Sequence, residues 1–238
     1  MSLLIDCHTH TTRYSGCSSV SPEMLCSLGE LRGLDGIVLT EHQVRWQHKE
    51  LDGLRSQCPG ITIYSGVEVS VGEGYDVVVI GPETGSMFGY AVPFELLLRE
   101  LEPVRGETFL FVAHPFRYTD QMTIELEEIL SAVDGIEVNS INILRNNARD
   151  EEGWITPVNQ AVYDMARGKY GLVAVYNSDV HHESGVGALA NRFRTDAPPA
   201  DEKALARLLK TEAIEEHQDP ALLRSLLGLG RKRGLFGW

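Results

Sequence analysis

Leu3-Leu4-Ile5-Asp6-Cys7-His8-Thr9-His10 opens the chain with a short apolar run that ends in two histidines one residue apart. In a buried strand over residues 3–5, side chains alternate between faces, so His8 and His10 leave its end on the same side. Two imidazoles so spaced can grip one metal ion. The pattern recurs downstream. Gly36-Ile37-Val38-Leu39-Thr40 runs into Glu41-His42, and the β-branched stretch from Ile61 to Val69 contains Gly66-Val67-Glu68. Thr108-Phe109-Leu110-Phe111-Val112-Ala113 stops at His114-Pro115, Gly135-Ile136-Glu137-Val138-Asn139 carries its own carboxylate, and Leu172 to Tyr176 closes on Asn177-Ser178-Asp179-Val180-His181-His182.

Helical periodicity fills the intervals. Ser21-Pro22 reads as a capping hydroxyl and a first-turn proline ahead of Met24, Leu25, Leu28 and Leu31, with Gly33 as the stop. Arg45 to Gln57 reads as a polar helix, and Phe94, Leu97, Leu98 and Leu101 share one face, as do Leu126, Ile129, Leu130 and Val133. Thr156-Pro157 repeats the cap-and-proline signal before Val158, Ala161, Val162 and Met165. Tyr75 to Ile80 and a stretch near Asn191 to Arg194 read as further strands, and a helix from about Asp201 to Leu209 ends the globular part.

Near-continuous apolar strands alternating with amphipathic helices predict an α/β fold with a mostly parallel sheet covered on both faces. About seven such units point to a closed or nearly closed β/α barrel rather than an open doubly wound sheet. His8, His10, Glu41, His42, Glu68, His114, Glu137, Asp179 and His181 all fall within or just after the C-terminal end of a predicted strand. In a parallel barrel those ends meet on one rim. Gathered there, the acidic and imidazole groups would repel and desolvate one another without cations between them. Carboxylates and neutral imidazoles suit zinc, manganese or iron, and more than four ligands implies more than one ion.

The bulk properties narrow the function classes. A chain of 238 residues with 43% hydrophobic and 23% charged residues is an ordinary globular composition, long enough for one large domain or two small ones. The net charge of -13 makes the surface repel phosphate backbones, so no extended nucleic-acid surface is expected, whereas a cleft holding divalent ions still attracts small anions. No apolar window is long enough for a membrane span, and no leader pattern precedes the first strand, so a cytoplasmic location is the expectation. The four cysteines, Cys7, Cys17, Cys26 and Cys58, form no Cys-x-x-Cys pair, which argues against a zinc ribbon or a disulfide scaffold.

His8-Thr9-His10, Thr40-Glu41-His42, Gly66-Val67-Glu68, Ala113-His114-Pro115 and Ser178-Asp179-Val180-His181 resemble, in order and spacing, the motifs of the PHP (polymerase and histidinol phosphatase) superfamily of metal-dependent phosphoesterases. The likeness runs from about Leu3 to Leu209. It implies a distorted seven-stranded, TIM-like (β/α)7 barrel with two or three divalent ions at the C-terminal rim, hydrolysing phosphate esters. It also implies that His8, His10, Glu68 and Asp179 bind the first ion, that Glu68 bridges to a second held by His114 and Glu137, and that His42 and His181 hold a third. Where relatives carry Asp or His after the first motif, only Cys17 stands here, and Glu41 replaces the usual Asp as a supporting group.

The implied activity is that of a phosphatase or phosphodiesterase for a small phosphorylated metabolite or nucleotide, with a metal-bridged hydroxide attacking in line. His42 or His181 assists the leaving group, and Arg117 is the candidate phosphate clamp, with Arg145 a second. The same residues allow other readings, namely a salt bridge from Arg117 to Asp120 and one from Glu137 to Arg145. Two other classes stay open, a metal-dependent amidohydrolase, although no lysine sits where such enzymes bridge their ions, and a non-catalytic metal-binding module. Beyond a 1–212 phosphoesterase domain, residues 213–238 are expected to form a helical tail packed on the barrel or at a subunit contact. Leu222, Leu223, Leu226, Leu227 and Leu229 are its apolar face beside Arg231-Lys232-Arg233, and a homo-oligomer is left open.

Overall fold

In the computed structural model, which describes residues 2–83, 89–145, 147–151 and 153–229, the β-branched and aromatic runs become strands and the amphipathic runs become helices. β1 (Leu3–Thr9) leads through α1 (Pro22–Leu31) to β2 (Gly36–Leu39), and α2 (His48–Gln57) returns to β3 (Thr62–Val71). β4 (Tyr75–Ile80), α3 (Phe94–Leu101), β5 (Phe109–Ala113), α4 (Ile124–Ala132) and β6 (Gly135–Asn139) follow. A short helix α5 (Ile141–Leu144) and the hairpin of β7 (Ala148–Glu151) and β8 (Trp154–Pro157) precede α6 (Gln160–Tyr170) and β9 (Val173–Tyr176). β10 (Leu189–Phe193), α7 (Glu202–Thr211), β11 (Ile214–Gln218) and α8 (Pro220–Leu227) complete the order.

The main sheet is a nearly closed, barrel-like surface of nine mixed strands in the order β11-β10-β1-β2-β3-β4-β5-β6-β9. The expectation of seven strands is therefore corrected. β4 runs antiparallel to both β3 and β5. Gly72 (φ +52°) and Gly74 (φ +121°) turn the chain straight back between β3 and β4, where a parallel pair would need a helical crossover. β10 is antiparallel to β1, and β11 antiparallel to β10.

Closure is made in two halves. At the top, Thr9 bridges Val180 in parallel, and the Asp179 N–H donates to the His8 carbonyl at 3.0 Å. At the bottom, β10 lies against β1 and Asn191 fills the seam, its Nδ2 donating to the Ile5 carbonyl at 3.2 Å and its Oδ1 accepting from the Tyr176 N–H at 2.9 Å. Interior residues Ile5, Cys7, Val38, Tyr64, Val78, Phe109, Phe111 and Val175 pack on Leu205 and Leu209 of α7, which plugs the lower end. The outer faces bury Ile37, Leu39 and Ile63 under α1 and α2, and Leu110, Val112 and Ile136 under α3, α4 and α6.

Two bulges interrupt this alternation. Between Asp6 and Thr9, β1 takes three steps while β2 takes two from Ile37 to Leu39. Between Glu137 and Asn139, β6 takes two steps while β9 takes one. The first bulge lets His8 face the interior directly after the interior residue Cys7, with its ring 6.1 Å from that of Phe111. Bulges of this kind re-aim side chains beside functional sites.

The capping signal at Ser21 is real, its side chain accepting from the Met24 N–H at 3.2 Å, and Gly33 (φ +79°) follows the helix end. Thr156-Pro157 does not start a helix. Thr156 pairs with Arg149 in the β7–β8 hairpin, and α6 begins at Gln160. Residues 214–218 extend the main sheet, and Leu223 of α8 packs on Ile141, Leu144, Ile155 and Leu189. Arg231-Lys232-Arg233 lie outside the described residues. No described helix is long and apolar enough to cross a membrane.

Gly66, two residues before Glu68, is where β3 is squeezed between its neighbours. A Cβ there would sit 2.9 Å from the Val79 carbonyl oxygen and 3.0 Å from Thr40 Cγ2. Replacing Gly66 by Ala should therefore destabilise the fold by about 1–3 kcal/mol, read as a lower urea midpoint with an unchanged slope.

Candidate metal centre

His8 at the end of β1, His10 just beyond it, Glu68 in β3, His114 after β5 and Asp179 after β9 converge on one point inside the upper rim, and all five are buried. The Nε2 atoms of His8 and His10 are 3.0 Å apart. Glu68 lies 3.3 Å from Nε2 of His8, 3.4 Å from Nε2 of His10 and 3.3 Å from Nε2 of His114. Asp179 lies 3.7, 3.4 and 3.6 Å from the same three nitrogens. Nearer the opening, Nδ1 of His42 is 2.7 Å from Glu68, and the rings of His42 and His181 flank that of His10 at 4.4 Å each. Their side chains are 30% and 19% exposed, so these two imidazoles are the cluster's face to solvent.

The backbone bends to deliver two of these groups. His114 (φ +32°) and Asp179 (φ +48°) are two of four non-glycine residues with positive φ among the described residues. Such conformations cost of order 1–3 kcal/mol and concentrate at functional sites. They turn each side chain inward immediately after its strand ends.

The chemistry of the donor set fits divalent ions. Both oxygens of Glu68 are buried without an aligned hydrogen-bond donor. His10 has its Nδ1 on Ser15 Oγ at 3.2 Å, and that hydroxyl in turn donates to Glu41 at 2.5 Å. The Ser15 proton is thus committed to Glu41, so His10 Nδ1 carries its own and Nε2 presents a lone pair. His8 donates from Nδ1 to Glu137 at 3.1 Å, which likewise turns its Nε2 to the cluster. Separations of 3.3 to 3.7 Å between donor atoms are those of ligands around one ion bonded at roughly 2.0–2.1 Å. Groups of three ligand atoms form from His8, Glu68 and His114, from His8, His10 and Asp179, from His114, Glu137 and Asp179, and from His10, His42 and His181.

The titration behaviour reads the same way. Burial pushes His10 down to about 4, and the positive charge of His8 adds to that. Burial also acts to lower His8, but the charges of Asp179, Glu68 and Glu137 outweigh it and hold the ring well above the ordinary range. Glu68 and Asp179 are held below theirs, the imidazoles overcoming desolvation. His42 and His114 are raised against desolvation, chiefly by Glu68. The metal-free centre therefore favours a charged imidazolium at His8 and a neutral ring at His10, whose single proton sits on Nδ1 and whose Nε2 lone pair faces the cluster.

Glu41 is fully buried and accepts from the Thr11 N–H, the Thr11 hydroxyl, Ser15 and Trp46 Nε1, a supporting group with no oxygen free for an ion. Cys17 is exposed and its thiol belongs to none of the ligand groups among the described residues. Glu137 makes no pair with Arg145, and its partners are His8, Asn177 Nδ2 and the His114 N–H. Asp120 accepts from Asn159 rather than Arg117. His48, His182 and His217 pair elsewhere, with Glu83, Ser184 and Arg192. Sequence reading missed Ser15, Asn142, which donates to Asp179, and Asn177. Of these only Asn177 carried a signal, as the first polar residue after a strand.

Two cavities of about 500 Å³ open beside the cluster, and Arg117, Tyr118 and Thr119 line both. The first reaches His114 and Asp76, the second Asn142 and Arg145. Arg117 stacks on the Tyr118 ring at 4.5 Å and its Nε is buried without a partner. Neither Arg117 nor Arg145 has a carboxylate partner among the described residues.

No protein-family model and no curated protein matches the chain. Solved structures do. PsfC from Pseudomonas syringae superposes with a TM-score of 0.67 at 17% identity, over 94% of this chain and 96% of its own. A two-domain protein from Bacteroides vulgatus that contains a predicted PHP-like metal-dependent phosphoesterase gives 0.66 at 17%, over 96% of this chain and 70% of its own. An amidohydrolase from Chromobacterium violaceum, solved with sulfate and no metal, gives 0.54 at 17%, over 91% and 98%. At such identities the likeness is one of architecture: the chain shares the fold of these structures over more than nine-tenths of its length.

Proposed function

We propose that this chain is a metal-dependent phosphoesterase acting on a small phosphorylated metabolite or nucleotide. The observation that carries the reading is Glu68, whose two buried oxygens lack aligned donors while four imidazoles face them. His8, His10, Glu68 and Asp179 would hold one ion, Glu68 with His114 a second, and His42 with His181 a third; the resemblance adds Glu137 to the second. Divalent ions bound there supply Lewis acidity and lower the pKa of a coordinated water.

The remaining work falls to the chain's own residues. Arg117 and Arg145 present guanidinium forks to the cavity wall, matched to the oxygens of a phosphate. Stacking on Tyr118 holds the Arg117 plane. Partial exposure supports His42 or His181 as the group that would assist the leaving alkoxide, by its own proton or through water on the third ion. Likeness in fold to an amidohydrolase supports a second reading, hydrolysis of a carbon–nitrogen bond. Two arginines without carboxylate partners in a chain of net charge -13 favour the phosphate.

Three measurements test this. His8→Ala and Asp179→Ala should each lose bound metal and about 10²–10³-fold of the turnover of p-nitrophenyl phosphate or bis-p-nitrophenyl phosphate. Unchanged metal content and activity in both would sink the assignment, and turnover of N-acyl substrates alone would move it to the second reading. Arg117→Ala should raise KM for the phosphate ester roughly 10-fold or more with metal content intact, the scale of one lost charged hydrogen bond. Finally, ions compete with protons on His8, His42 and His114, all raised above 6.5 in the metal-free protein. Apparent metal affinity should therefore increase with pH through and above that value, and binding at pH 7 should release about one proton or more, seen as a buffer-dependent calorimetric heat.

A further inference from the structure

Two buried carboxylates stand on either side of His8, and their surroundings treat them oppositely. Glu68 has no aligned donor on either oxygen. Glu137 has Asn177 Nδ2 at 2.8 Å and His8 Nδ1 at 3.1 Å on Oε1, and the His114 N–H at 3.2 Å on Oε2. A carboxylate so occupied is a poor ligand and a good anchor. It also meets the wrong nitrogen for a ligand neighbour: Glu137 touches Nδ1 of His8, while Glu68 and Asp179 face Nε2.

The direction of this contact is forced from a distance. Asn191 Oδ1 accepts from the Tyr176 N–H at 2.9 Å, so its Nδ2 donates to the Ile5 carbonyl at 3.2 Å and to Asn177 Oδ1 at 2.8 Å. Asn177 Oδ1 also accepts from the Cys7 N–H at 3.1 Å, which leaves its Nδ2 toward Glu137. A backbone N–H only donates and a backbone carbonyl only accepts, so neither amide can turn over. All four side chains are buried. Glu137 must accept, His8 Nδ1 must carry a proton, and Nε2 is left to face an ion.

We infer that Glu137 is a positioning residue that fixes His8 with its proton on Nδ1, rather than a metal ligand, and that Asn177 and Asn191 extend this control to strand β10. The inference rests on the metal reading above and departs from the resemblance, which counts Glu137 as a ligand. It is tested by titrating metal-free wild type, Glu137→Gln and Asn177→Asp with Co²⁺. Ion stoichiometry at saturation, the visible absorption band and the dissociation constant are read beside the melting temperature of each metal-free protein. Both variants should bind as many ions as wild type with the same band, about 10- to 100-fold more weakly.

One ion fewer or a shifted band in Glu137→Gln, with wild-type behaviour in Asn177→Asp, would make Glu137 a ligand and overturn the inference. Wild-type affinity in both, with only lower melting temperatures, would overturn it too by leaving the chain of amides a purely structural role. Should Asn177→Asp fail to fold, Asn191→Asp carries the same test one link further out. Wild type that takes up no Co²⁺ is a separate failure, one that removes the metal reading itself.

Discussion

Glu68 and Asp179, buried against three imidazole nitrogens, set the constraint on which the upper half of the barrel depends. Desolvated carboxylates are tolerated only where positive charge or donors meet them. Here the imidazoles meet the carboxylates, and their positive charge holds Glu68 and Asp179 below the ordinary carboxylate range. Ser15 and Glu137 engage Nδ1 of His10 and His8, so it is the Nε2 atoms that turn inward, where a cation would displace the protons. Every supporting feature, from the four donors on Glu41 to the inward turn at Asp179, keeps that arrangement from relaxing.

Local irregularity is how the barrel meets the constraint. A regular β1 would alternate His8 away from the interior face that Cys7 occupies, and the bulge between Asp6 and Thr9 removes that conflict. The bulge in β6 follows Glu137 directly. Gly66 lets β2 and β4 crowd β3 two residues before Glu68. Breaks of sequence-local rules concentrate at the site, the expected division between functional and structural positions.

That division explains what could be read from the chain. His8, His10, His42, Glu68, His114, Asp179 and His181 were legible because each follows an apolar run, and a polar residue with ligand chemistry at a strand end is conspicuous. The alternation of strands and helices likewise announced a barrel-like sheet. The direction of β4 was not legible, since Tyr75 to Ile80 has the same composition in either orientation and only the short Gly72–Gly74 turn decides it. Thr156-Pro157 misled because a hydroxyl before proline suits a strand end as well as a helix start. Ser15, Asn177 and Asn191 act through hydrogen bonds whose partners lie elsewhere in the chain, so no window around them reveals their role.

The seam filled by Asn191 also orders events in time. Asn191 reaches back 186 residues to the Ile5 carbonyl, and Asn177 reaches 170 residues to the Cys7 N–H. Contacts of such separation form late, after the loop they close has been made, and during synthesis they wait for the C-terminal part of the chain to emerge. Until then β1 is an open edge, and nothing from β9 or β10 holds the His8 ring. The first motif to leave the ribosome is thus the last to become competent, and a truncated chain ending before β9 would expose the histidines without the means to orient them.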